Sequence, residues 1–170
     1  MGPDALMVMI PSELHYLARA AKAEKVPFSD MQLYDLYFTK GGSAAGPVSL
    51  CGPFLGAPHA VMGMEKLIVL GAKRIWVLGW CGSLNPEIRV GHLVIPTGAV
   101  SEEGTSSHYP IGKRSLEPDG RLNEMLKGAL NQEGLPISLG PIWTTDALYR
   151  ETSEKVNAFQ AKGKIGRAHV

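Results

Sequence analysis

An α/β fold, with a mixed, mostly parallel central sheet flanked by helices on both faces, is what this sequence predicts, and three observations carry it. Short apolar runs alternate with segments of helical spacing, the runs end in glycine-rich turns, and the composition is that of a packed chain. Hydrophobic residues make up 45% of the 170 positions and charged residues 19%, too apolar for a disordered segment. The length suits one domain with a substantial core.

Ala5 to Ile10 is a continuous apolar run that reads as a strand. Pro11 follows, then Ser12 in the role of N-cap, and Leu14, Leu17, Ala18 and Ala21 at helical spacing. Pro47 to Cys51 is again strand-like. The turn holding Gly52, Gly56 and Pro58 leads into a helix from His59 to Leu70, closed by Gly71. Arg74 to Trp80 is nearly all apolar, the pattern of a parallel strand buried on both faces. A turn from Cys81 to Glu87 delivers a fourth strand, Leu93 to Pro96. An amphipathic helix from Asp119 to Glu133 ends at Gly134, Ile137 to Trp143 is a fifth strand, and Thr152 to Lys162 begins another helix. No internal repeat or low-complexity linker interrupts the order.

Charge narrows the partners. Seventeen basic and sixteen acidic residues give a formal net charge of +1 with no block of one sign. That argues against a nucleic-acid or membrane-binding face and for a small-molecule partner. Cys51 and Cys81 each lie in an apolar run, no secretory leader pattern precedes them, and no apolar stretch approaches the roughly 20 residues that cross a bilayer. A reducing cytoplasm is the expected location.

The stretch GWCGSLNPEIRVGHLVIPTGAVSEEGTSSHY, residues 79–109, concentrates the chemistry. Gly79 and Gly82 bracket a strand end, where backbone amides approach a ligand closely, and loops at strand carboxyl ends are where open α/β sheets bind ligands. This string resembles the superfamily of nucleoside phosphorylases and nucleosidases, which holds uridine phosphorylase, hexameric purine nucleoside phosphorylase and methylthioadenosine nucleosidase. Upstream, GPVSLCGPFLGAPHAVMGMEKLIVLGAKRIWVLGWCGSL, residues 46–84, resembles the family's strand, glycine-rich turn, helix and second strand. Downstream, GPIWTTDALYRET, residues 140–152, resembles the strand and loop that carry its base-binding aromatic.

The resemblance implies cleavage of a ribonucleoside's N-glycosidic bond with phosphate, giving free base and ribose 1-phosphate. It also implies phosphate as co-substrate with no cofactor or metal, and a homo-oligomer built from dimers. The transition state places positive charge on the sugar, so a nucleophile on one face and an activated leaving group on the other are required. The implied pocket is built from the Gly56 turn, the Trp80–Cys81–Gly82 turn and the Thr145 to Arg150 loop. The phosphorylases hold phosphate with an Arg in the strand before the turn and a Ser or Thr after its first glycine; here those positions are Val77 and Trp80, and PSELHYLA, residues 11–18, lacks their other Arg. Backbone amides near Gly56 and Gly82, with Arg19 or Arg150, are the substitutes on offer. Two alternatives stay open: hydrolysis with Glu13 as general base on a water, and nucleoside binding without turnover. Against the first stands the ordinary role of a first-turn glutamate favoured by the helix dipole.

Other candidates are weighed the same way. Trp80 is placed either to stack on a base or to pack as core. Cys81 has no flanking charge to activate it and reads as an inert thiol. Glu103 and His108 are candidates for touching the sugar or a neighbouring subunit. Asp146 reads as a brace of its loop, Leu148 stands where relatives carry a stacking Phe, and Tyr149 beside it is the substitute. Arg150 and Glu151 read as a surface pair, and His59 and Glu65 as solvated or structural. Residues 164–170, KIGRAHV, coincide with one reading frame of a common sequencing-library adapter, the alternative being an ordinary basic tail. Residues 1–163 are therefore expected to be an incomplete phosphorylase-like domain and 164–170 an artefactual tail. The family's ribose-holding Glu and base-protonating Asp then fall beyond the fragment.

Overall fold

The computed structural model describes residues 2–27, 33–41, 46–111 and 116–168. The chain divides at Trp80 into two units, residues 1–80 and 81–170.

The first unit runs β1 (Asp4–Val8), α1 (Pro11–Ala20), β2 (Glu24–Val26), β3 (Asp35–Phe38), β4 (Val48–Gly52), α2 (Gly56–Val69) and β5 (Arg74–Leu78). Its sheet has the order β2-β3-β4-β1-β5, in which β1 runs parallel to both β4 and β5 while β2 and β3 add an antiparallel edge. Val8, Leu14, Ala18 and Leu50 form the buried cluster that seats α1 on the sheet. Asp4, almost buried, accepts two hydrogen bonds from Arg74, at 2.5 and 2.7 Å, which pin the start of β5 to β1. The arginine's hydrogen bond holds the Asp4 carboxyl below its ordinary value in spite of burial.

The second unit runs β6 (Gly82–Ser83), β7 (Leu93–Glu102), a 3-10 turn at Thr105–His108, α3 (Gly120–Gln132), β8 (Ile137–Thr145), a 3-10 turn at Leu148–Arg150, α4 (Ser153–Ala161) and β9 (Gly166–Ala168). The sheet order is β6-β9-β8-β7, with β7, β8 and β9 parallel and β6 antiparallel to β9. Its core centres on Trp143, fully buried and stacked on Phe159 with ring centroids 4.4 Å apart, beside Leu84.

The mixed α/β class is as expected, in two mixed sheets rather than one central sheet. Several element limits shift for physical reasons. Ser12 is not the cap of α1: Pro11 already occupies the first helical position, Ile10 stands at N-cap, and no side chain caps the end. The second helix starts at Gly56, three residues earlier than its periodicity suggests, because proline is tolerated in a first turn. β5 is an edge strand and not one buried on both faces; Val77 is 52% exposed. β7 does not stop at Pro96: a register shift between Pro96 and Gly98 absorbs the missing proline N–H, and the strand continues to Glu102. Asn123 of α3 donates to the Pro96 carbonyl at 2.7 Å and so fastens that irregularity. The β2–β3 hairpin is not among the expected elements, although Leu36, Tyr37 and Phe38 form a short apolar run in β3; main-chain pairing and the ion pairs Lys25–Asp35 and Lys40–Glu24 hold it. Of the KIGRAHV segment, Gly166 to Ala168 form β9 between β6 and β8, and His169 and Val170 lie outside the described residues.

Candidate active site

In the first unit β1, β4 and β5 end together. Met7 lies opposite Cys51 and Val8 opposite Leu78, and the Met9 N–H donates to the Leu78 carbonyl at 2.9 Å, so the segments holding Glu13, Gly56 and Trp80 all leave one carboxyl edge. Glycine shapes this edge. A β-carbon on Gly52 would lie 2.1 Å from the Val8 carbonyl oxygen, and one on Gly79 would press on Met9 at 3.2 Å. Gly56 has φ +74°, a left-handed conformation that a side chain rarely adopts, and it opens α2 with no side-chain cap. The His59 Nδ1 accepts the Leu55 N–H at 3.2 Å. Tyr34, Phe54 and His59 pack as an aromatic cluster with centroids 5.1 to 5.7 Å apart. Trp80 is 74% exposed. Glu13 lies half-buried in the first turn of α1. The unit's two arginines lie elsewhere: Arg74 begins β5 at the opposite edge, and Arg19 is in the last turn of α1, about 9 Å along the helix from Glu13. Burial pushes the Cys51 thiol up to about 12, so it is no nucleophile.

In the second unit β7 and β8 run side by side to Ser101 opposite Thr144 and Glu102 opposite Thr145, so the loops holding Glu103 to His108 and Asp146 to Arg150 leave a common carboxyl edge. The Asp146 carboxylate accepts the Gly104 N–H at 2.9 Å and ties the two loops together, the bracing role expected of it. Glu103 is committed to its own loop, accepting from the Ser101 hydroxyl at 2.6 Å and from the backbone N–H groups of Thr105 and Ser106 at 2.7 and 3.1 Å. Burial raises its pKa, but these hydrogen bonds outweigh it and leave the carboxyl below its ordinary value. His108 is exposed at the end of the 3-10 turn, Leu148 and Arg150 are exposed, and Tyr149 is fully so.

One pairing and one placement differ from expectation. Glu151 pairs with Arg167 of β9, not with Arg150. Cys81 does not sit within a strand: the residue is exposed, yet its sulfur lies against Gly166, and desolvation raises the thiol. Gly82 opens β6 with its Cα turned toward the Arg167 guanidinium. Sequence reasoning missed the brace at Glu102, whose carboxylate accepts from Trp143 Nε1 and from Lys155 Nζ, both at 2.9 Å. Trp143 inside an apolar strand was the available signal, since a buried indole N–H needs an acceptor.

Comparison with known proteins agrees with this architecture. The family model described as the phosphorylase superfamily matches residues 3–166. A guanosine phosphorylase of Halorubrum lacusprofundi is 34% identical over 65% of this chain and 46% of its own length. A uridine phosphorylase of Treponema pallidum is 35% identical over 63% of this chain and 42% of its own. The alignments thus span less than half the length of these relatives. Among solved structures, the purine nucleoside phosphorylase of Toxoplasma gondii superposes with TM-score 0.86 at 21% identity, over 98% of this chain and 67% of that one. The uridine phosphorylase of Vibrio fischeri superposes with TM-score 0.87 at 20% identity, over 98% and 69%. At such identity the structures establish the shared fold.

Proposed function

Because this chain belongs to the phosphorylase superfamily, we propose that it is the larger part of a nucleoside phosphorylase. The whole enzyme cleaves the N-glycosidic bond of a ribonucleoside with phosphate to give free base and ribose 1-phosphate. The match over residues 3–166 carries this reading, and relatives named for guanosine and uridine phosphorolysis support its direction. The base and the sugar substituent are left open by relatives of both kinds. Phosphate is the co-substrate, no cofactor enters the reaction, and the enzyme works in the cytoplasm as a dimer-based oligomer. No helix among the described residues is long and apolar enough to cross a membrane.

The chemistry asks for an anion site and for support of a sugar that turns cationic as the base departs. Gly56 and Ala57 open a 14-residue helix, and their N–H groups have no intrahelical acceptor, which suits an oxyanion where Val77 and Trp80 supply no charge. Trp80, exposed at the carboxyl edge of the first unit, and Tyr149, exposed at that of the second, are each proposed as an aromatic group able to stack on a base. Glu103 shapes its loop, and contact with the sugar falls to His108. Residues 1–163 form the phosphorylase-like portion, and the acid and ribose-holding carboxylate belong to the remainder of the enzyme.

The test is product identity across a phosphate series. The full-length gene product, given a panel of purine and pyrimidine nucleosides, is expected to release base in proportion to phosphate and to form ribose 1-phosphate. The 170-residue chain alone is expected to show no turnover. Free ribose, formed at a rate independent of phosphate and abolished by Glu13→Gln, would replace this reading with hydrolysis.

A further inference from the structure

Away from the carboxyl edges, an open groove of about 520 Å³ runs between the C-terminal half of α1 and the β2–β3 hairpin, lined by His15, Ala18, Arg19, Lys22, Ala23 and Tyr37. His15, Arg19 and Lys22 follow an i, i+4, i+7 spacing, so they share one side of the helix and its end over about 10 Å. None of the three side chains has an ion-pair or hydrogen-bond partner among the described residues. The hairpin's carboxylates do not neutralise them. Asp35 is engaged by Lys25 at 2.8 Å and by the Tyr37 hydroxyl at 3.1 Å, and Glu24 by Lys40 at 2.5 Å. Two cations, Arg19 and Lys22, and the His15 imidazole therefore line one groove in a chain whose net charge is only +1.

Lys22 adds an independent observation. It follows the end of α1 with φ +49°, the single non-glycine residue in the left-handed region among those described. The Ala23 N–H donates to the Ala18 carbonyl at 2.8 Å, closing the helix end in the manner that normally selects glycine. A lysine there strains the backbone, and natural chains keep such strain chiefly at functional sites.

We propose that this groove binds a free polyphosphate chain of nucleotide size, its phosphates held by Arg19, Lys22 and His15 with Tyr37 as the wall. The proposal is independent of the glycosidic chemistry, because it concerns the opposite end of α1 and is tested by binding to the chain as it stands. The probes are inorganic tripolyphosphate, a nucleoside triphosphate and orthophosphate, followed by amide and side-chain NMR shifts and by calorimetry at low salt. The expected result is saturable binding of at least one polyphosphate, with shifts centred on His15, Arg19, Lys22 and Tyr37, and weaker binding of orthophosphate. Tighter binding of the nucleoside triphosphate than of tripolyphosphate assigns the site to a nucleotide, and the reverse to a free polyphosphate.

Arg19→Gln should weaken binding roughly five- to tenfold, as loss of a charge-assisted contact does. Lys22→Gly separates ligand binding from architecture. It should raise the melting midpoint by about 2–4 °C through relief of the left-handed strain while weakening polyphosphate about fivefold. Were these cations present only to complement the helix dipole, Lys22→Gly would leave binding unchanged. That result, shifts scattered over the basic surface, equal affinity for orthophosphate, or no saturable binding would each overturn the proposal.

Discussion

At the carboxyl edge of the first unit the chain is shaped by the side chains that glycine lacks, whereas at the edge of the second it is shaped by what carboxylates accept. Gly52, Gly56 and Gly79 let β4, α2 and β5 turn closely past their neighbours, and Leu55 and Trp80 are left facing outward. Beyond β7 and β8 the loops carry their own staples: Glu103 closes one, and Asp146 joins it to the next. An edge built from bare backbone leaves amides free for an anion. An edge stapled by carboxylates spends those groups on architecture and presents its remaining side chains, His108 and Tyr149 among them, to whatever binds.

The comparison breaks most easily at Gly52. With Val8 oxygen 2.1 Å from where a β-carbon would sit, β1 and β4 must separate to admit even alanine. Gly52→Ala is expected to cost about 4 kcal/mol or more, the range of severe core lesions, read as a lowered denaturation midpoint. A loss below about 1 kcal/mol would show that the β1–β4 pairing yields, and that the first edge is not set by glycine sterics. In the second unit the comparable lesion is at Trp143, buried, stacked on Phe159 and donating to Glu102. Trp143→Ala should cost about 3–5 kcal/mol. Trp143→Phe, which keeps a ring but not the N–H, should cost less, because Glu102 retains Lys155.

These two sites also show what was legible in the sequence. The apolar runs around Leu50, Ile75 and Ile142 are strands, as their pattern demands, and the glycines near residues 52–56 and 79–82 lie where strands end. The β2–β3 hairpin was not legible, since its stability lies in pairing and in ion pairs between residues ten or more apart. The split into two sheets was not legible either, because periodicity reports which face is buried and not which strand lies beside which. At the candidate site, Asp146 could be read as a brace from its loop position. The occupation of Glu103 by its own backbone could not, because a carboxylate in a polar loop looks the same in sequence whether it serves a ligand or a turn.

Glu103 gives the next, smaller test. Its folded-state pKa is depressed, so its contribution to stability is present above the unfolded-state pKa near 4.3 and is lost as pH falls through the lower folded value. Glu103→Gln should cost about 1–2 kcal/mol at neutral pH, with the difference from wild type shrinking in acid. A difference that stays constant down to pH 3 would mean that the carboxylate charge is not what the loop uses, and would weaken the contrast between the two edges.

The smallest effect expected is at Cys81, and it sharpens the contrast where the chain passes from one unit to the next. Desolvation is the largest influence on its thiol and raises it; the backbone hydrogen bond from Arg167 and that residue's charge pull the other way without prevailing. Reactivity follows the thiolate, so at pH 8 Cys81 should alkylate more slowly than free cysteine, in spite of the exposure of the residue as a whole. Cys51, pushed up to about 12, should react only on unfolding. Arg167→Gln should slow Cys81 further by removing the one favourable charge, although it also releases Glu151 from its ion pair. Cys81→Ala should change stability by less than about 0.5 kcal/mol and leave nucleoside affinity of the full-length enzyme unchanged, while Trp80→Ala raises KM. Alkylation of Cys81 faster than free cysteine would show that Arg167 outweighs desolvation. The turn after β5 would then be a site where charge is stored rather than one shaped by bare backbone.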